Sequence, residues 1–110
     1  MAIVNAQLTT TQLDMITVPA SKSYAITNIM VCNNGSTPAS FDIHLVPQGT
    51  ALSNAVTRVI NSLELPVGET FTFDSERVVL EVGDKLAFVA EPDSGAGLTA
   101  LSATVSYLEV

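Results

Sequence analysis

One histidine and one cysteine bound the side-chain chemistry available to this chain of 110 residues. His44 stands at alternate positions with Asp42 and Ser40, a spacing that puts all three side chains on one face of an extended strand. Hydroxyl, imidazole and carboxylate are the groups of a nucleophilic triad. That chemistry, however, needs the base set between nucleophile and orienter, brought from different elements. Three neighbours on one strand read instead as an outward, solvated polar face, where His44→Ala changes stability by no more than ~0.5 kcal/mol. Cys32 follows Ile29, Met30 and Val31 and reads as a small packed hydrophobe. One His and one Cys do not make an ordinary zinc site.

Acidic residues gather in turns, as Asp74 and Glu76, Glu81 and Asp84, and Glu91 and Asp93. Two such loops brought together have the hard oxygens that suit calcium. Their spacing matches no known calcium loop, so a solvated acidic rim is expected. Asn34-Gly35-Ser36 fits the glycosylation pattern but reads as a turn. No glycine-rich phosphate cradle is present. The expectation is a protein that is not an enzyme and takes no cofactor.

The elements that carry these residues have the period of β-strands. Ala39, Phe41, Ile43 and Leu45 alternate with Ser40, Asp42 and His44. Before them, Ala25, Ile29 and Val31 share one face while Tyr24, Ile26, Met30 and Cys32 share the other, so this strand looks apolar on both sides. Asn33-Asn34-Gly35 supplies a tight turn, and Tyr24 to Val46 therefore reads as a hairpin that nucleates the fold. Ile3–Leu8, Leu13–Val18, Val59–Leu65, Phe71–Phe73, Val78–Leu80, Leu86–Ala90 and Leu98–Val110 supply further short strands. In the last, Leu101, Ala103, Val105 and Tyr107 oppose Ser102, Thr104, Ser106, Leu108 and Val110. The similar stretches Leu65-Pro66-Val67-Gly68-Glu69 and Leu80-Glu81-Val82-Gly83-Asp84 read as shared turn chemistry. Eight to nine short strands with turn signals every eight to twelve residues predict one antiparallel β-sandwich of jelly-roll type over residues 1–110.

Composition narrows the partners. Hydrophobic residues make up 47% of the chain and charged residues only 14%, so the polar surface is largely Ser, Thr, Asn and Gln. Net charge is −7, and Lys22, Arg58, Arg77 and Lys85 are the only lysines and arginines. Phosphate binding needs clustered cations, so neither nucleic acid nor an anionic membrane is an expected partner. There is no Trp to stack on a sugar ring, and Tyr24 and Tyr107 occupy strand positions where burial is expected. The opening Met-Ala-Ile-Val-Asn has no basic region and no apolar core of a leader peptide. The single Cys calls for no oxidising compartment, so synthesis in a cytoplasm is expected.

Several stretches carry a resemblance. The opening Met1 to Thr11, the run Ile26 to Gly35, Leu63 to Thr70 with Leu80 to Leu86, and the closing Ala103 to Val110 resemble small virion structural proteins of tailed bacteriophages, particularly cyanophages. The resemblance implies a β-sandwich virion component, first a capsid decoration (cement) protein binding the shell in many copies. A neck, tail or fibre accessory is the alternative, with an adhesin-like carbohydrate-binding module behind it. By the same analogy the expected partners are capsid or tail proteins and other copies of the chain, as a trimer, and the expected location is the virion. Candidate contact residues are Ile3, Val4 and Leu8 in the N-terminal segment, Gln48 and Leu52 in the loop after Val46, and Leu108 and Val110. The first of these segments is expected to pair with a neighbour's sheet edge.

Overall fold

The structure, a computed structural model, describes residues 2–35, 38–53, 55–73, 78–91 and 101–110. Among them nine strands run in order: β1 (Ala2–Gln7), β2 (Leu13–Thr17), β3 (Tyr24–Asn33), β4 (Ala39–Val46), β5 (Arg58–Leu65), β6 (Thr70–Phe73), β7 (Val78–Leu80), β8 (Lys85–Ala90) and β9 (Leu101–Glu109). The chain pairs from its ends inward: β1 with β9, β2 with β8, β3 with β6 and β7, β4 with β5, all antiparallel. β6 and β7 lie end to end along β3, against Ile29–Cys32 and Tyr24–Ile26, and act as one interrupted strand. The result is a long ribbon. It folds over so that β3 also meets β9 and β4 also meets β8. Two sheets follow: sheet A in the order β1-β9-β3-β6, with β7 also on β3, and sheet B in the order β2-β8-β4-β5. This is jelly-roll winding.

The inward faces close over Leu8, Ile16, Ile26, Ile29, Val31, Phe41, Ile43, Leu86, Phe88, Leu101 and Val105. Tyr24, Phe71, Phe73 and Tyr107 pack half-buried against that cluster. The described residues measure 43 × 27 × 20 Å; the short dimension is two layers about 10 Å apart plus their outward side chains.

Both strands of the Tyr24–Val46 stretch form, yet they are not a hairpin. β3 lies in sheet A and β4 in sheet B. The cause sits at the end of β3, where Asn33 is 1% exposed. Its side-chain amide donates to the Leu65 carbonyl at 2.9 Å, its carboxamide oxygen accepts from the Gly35 amide at 2.9 Å, and its backbone exchanges hydrogen bonds with Glu69 and Gly68. The link leaving β3 is thereby bound to the link between β5 and β6, and the two cross between the sheets side by side. The same happens where Val18 bonds Asp84 and Gly83, and where Ala90 bonds Thr9. Gly68 and Gly83, at φ +78° and +82°, make the turns in two of these crossings. Each turn closes with an amide donated to the carbonyl three residues back, Glu69 to Pro66 and Asp84 to Glu81, as type II turns require.

The two-faced look of β3 also has a local cause. Its register against β9 shifts between Ile26 and Asn28, and a bulge moves the side-chain alternation by one place. Ile26, Ile29 and Val31 all turn into the core, so β3 has one apolar face with a phase change. The segment Ile3–Leu8 is likewise part of the domain's own sheet, paired with β9 from Ala2↔Tyr107 to Gln7↔Ser102.

Candidate functional site

The Asp42–His44 face of β4 points away from Phe41 and Ile43, as its alternation requires, but water does not reach it. His44 is 0% and Asp42 6% exposed. Register shifts against β5 between Phe41 and Ile43, and again between Ile43 and His44, leave extra residues on β5 that fold over the face. Thr57 is buried there, and its hydroxyl lies 2.8 Å from His44 Nδ1. That hydroxyl accepts from the Ser53 amide at 3.0 Å and donates to the Ser53 carbonyl at 2.9 Å. With its one proton so used, its oxygen accepts a hydrogen bond that Nδ1–H of the imidazole donates. Nε2 then carries a lone pair with no partner, fully enclosed. Burial holds the His44 pKa below its ordinary value, the Arg58 charge adds to this, and Asp42 opposes both. His44 is a neutral, enclosed side chain.

Asp42 holds the bulge. Its Oδ1 accepts the Ser62 amide at 2.7 Å and its Oδ2 faces Arg58 Nη1 at 3.7 Å. Ser62 takes φ +51°, a left-handed conformation costly to a side chain, and its hydroxyl meets the Glu91 carboxylate. The cluster therefore fastens the β4–β5 connection, and none of it presents a reactive group to a substrate.

Sheet A has an outward face of another kind. Paired residues set out a grid: Ile3, Ser106 and Asn28; Asn5, Thr104, Met30 and Thr72; Gln7, Ser102, Cys32 and Thr70; and Leu108, Ala25 and Val79. No member is charged. Thr27 and Ser106 join hydroxyls at 2.7 Å, and Asn34 caps the face by donating to Ser102 and accepting from Cys32. The readable signal was in the alternation: the polar partners on β1, β6 and β9 are Asn, Gln, Ser and Thr as far as Ser106, whereas β2, β4, β5 and β8 include Asp14, Asp42, Arg58, Glu64 and Lys85.

The expected contact residues separate accordingly. Ile3 and Val110 are exposed (67% and 69%) and Leu108 is partly so. Val4 packs against the core, and Leu8, at 0%, belongs wholly to it, which removes Leu8 from any surface. Leu52 is half-buried. Gln48 lies on Gly83, where an added Cβ would meet its side chain at 2.7 Å. Ile3 and Leu108 thus share the outward face of sheet A, while Gln48 and Leu52 lie elsewhere.

A groove of about 180 Å³ runs between Leu45, Val46 and Pro47 on one side and Val78, Val79 and Leu80 on the other, with Asp84 at its end. Both Asp84 oxygens already accept amides, from Gln48 and Glu81, and the other described lining residues are apolar. Among the described residues no three His, Cys, Asp or Glu approach one another as metal ligands do. Asp74, Glu76 and Asp93 lie outside the described residues. All six aromatic side chains are described, and each belongs to the core or packs against it; Tyr24 and Tyr107 pack together with ring centroids 4.6 Å apart and planes tilted by 40°. None of the six is exposed, and Tyr24, Phe71, Phe73 and Tyr107 are half-buried.

No family model matches the chain, and neither a curated protein nor a solved structure matches it.

Proposed function

We propose that the protein is a non-enzymatic structural component of a virion that docks, in many copies, through the outward face of sheet A. A capsid decoration protein is the leading form of this reading, and a neck, tail or fibre accessory the other. The uncharged grid carries the proposal. On a chain of net charge −7, a face whose paired strand residues carry no charge is where a shell protein or another copy approaches with the least repulsion and desolvation. Jelly rolls recur in viral shell proteins, a fold-level analogy that agrees with the resemblance in the sequence. Weak contacts repeated over a lattice add through avidity.

The test is to image purified particles assembled with the wild-type chain and with Thr104→Lys, which sets a charge at the centre of the grid. The expected result is ordered density on the shell or tail for the wild type and its loss for the variant. Particles that never carry the protein would overturn the proposal.

A further inference from the structure

Among the described strands, β1, β2, β5 and the β6–β7 pair stand last in their sheets, and three of these four edges are guarded. β2 is bulged between Asp14 and Ile16 and carries a charge. β5 is bulged twice and carries Arg58 and Glu64. The far edge of sheet A is split into β6 and β7, of four and three residues. Such features discourage pairing with another chain. β1 has none of them. It runs six residues without Pro, charge or register shift.

The Leu8 amide donates to the Leu101 carbonyl, which fixes the phase of the ladder: Val4 and Ala6 aim their backbone groups at β9, and Ile3 and Asn5 aim theirs outward. Both of the latter are exposed. We infer that β1 pairs antiparallel with β1 of a second copy about a two-fold axis at Val4. In this register Ile3 faces Asn5 of the other copy, Asn5 faces Ile3, and the outward N–H and C=O groups of each pair satisfy one another. Val4 stands directly opposite its own equivalent in the wide, non-hydrogen-bonded position. The edge is self-complementary, because its outward donors and acceptors match themselves under a two-fold rotation. It is also neutral, so two chains of charge −7 meet there without opposing like charges. The pairing would continue sheet A, and its uncharged face, across both copies. The inference rests on the edge and stands whether or not the protein belongs to a virion.

Two measurements on the purified full-length chain test it. Light scattering at millimolar concentration is expected to give twice the monomer mass; a monomer or a trimer overturns the inference. Ile3→Pro removes an outward amide while leaving the β9 ladder, and is expected to halve that mass with the β-sheet circular dichroism retained; an unchanged dimer overturns it. In a Cys32→Ser background, Val4→Cys faces its equivalent at ~4.5 Å between Cα atoms, within disulfide reach. Ala6→Cys lies some four residues from its own equivalent, or ~13 Å. Mild oxidation should cross-link the first and spare the second. Cross-linking at both positions, or at neither, contradicts the register.

Discussion

The two outward faces of the sandwich share a strand period and part company in what stands on it. Sheet A presents hydroxyls, amides and a few apolar groups in a mostly regular grid. Sheet B presents the ion pairs Lys85–Asp14 and Arg58–Asp42, and its edge strand β5 is bulged to cover a buried histidine. The difference teaches where this protein spends specificity on itself and where it leaves surface for others. Charge and irregularity on sheet B block strand addition and hold a connection in place, whereas the outward grid of sheet A is uncharged, and the one charge on its strands, Glu109 at the end of β9, pairs with Lys22.

Substitutions sharpen that contrast. The largest effect is expected from Asp42→Ala, which strands the Arg58 charge and the Ser62 amide; unfolding by denaturant should show a loss of about 2–4 kcal/mol. A loss under about 0.5 kcal/mol would mean that the bulge holds without its carboxylate, and sheet B would be no more committed than sheet A. His44→Ala comes next, at ~2–3 kcal/mol, for the cavity and the freed Thr57 hydroxyl. It also predicts a pH dependence. The buried imidazole resists the proton that the unfolded chain accepts, so the unfolded state binds more protons and stability rises with pH. The contribution is complete above the ordinary histidine value of ~6.5 and shrinks as pH falls below it. Stability curves from pH 8 to 5 should therefore be flatter for His44→Gln than for wild type, and identical slopes would place His44 in contact with water. Thr104→Lys is expected to be the mildest, within ~0.5 kcal/mol, because its site on sheet A supports no buried group. A large loss there would show that the grid is structural after all.

Much of the architecture was legible. All nine strands lie close to where alternation and turn chemistry put them, and Gly68 and Gly83 turn as their matching contexts suggest. Which strands pair was not legible. Asn33-Asn34-Gly35 has the composition of a hairpin turn, and only the long-range bonds of Asn33 to Leu65, Gly68 and Glu69 send β4 to the other sheet. The bulge at Ile26–Asn28 defeated a strict period of two, which made β3 look apolar on both faces. His44 was assigned to the correct side of β4. Its contact with Thr57, 13 positions away, and that of its neighbour Asp42 with Ser62, 20 positions away, are ones no local pattern connects to the strand. Of the residues expected to make contacts at the N-terminus, Ile3 is at the surface and Leu8 is in the core, a difference that the period of two does not reveal.

The ribbon winding also dictates an order of assembly. Loop closure costs more as the joined segments lie further apart in the chain. β4 and β5 close across a short connection, whereas β1 must find β9 across nearly the whole sequence, Ala2 against Tyr107. Zipping therefore starts at the β4–β5 hairpin and ends at the β1–β9 pair, and the domain belongs with slow folders rich in distant contacts. Opening should run in reverse, with amide exchange fastest for the β1 ladder and slowest where β4 lies between β5 and β8; uniform protection across both would contradict this order. The strand that carries the unguarded edge is thus also the last to be secured, and a second copy bound to it would clamp the fold at its loosest seam.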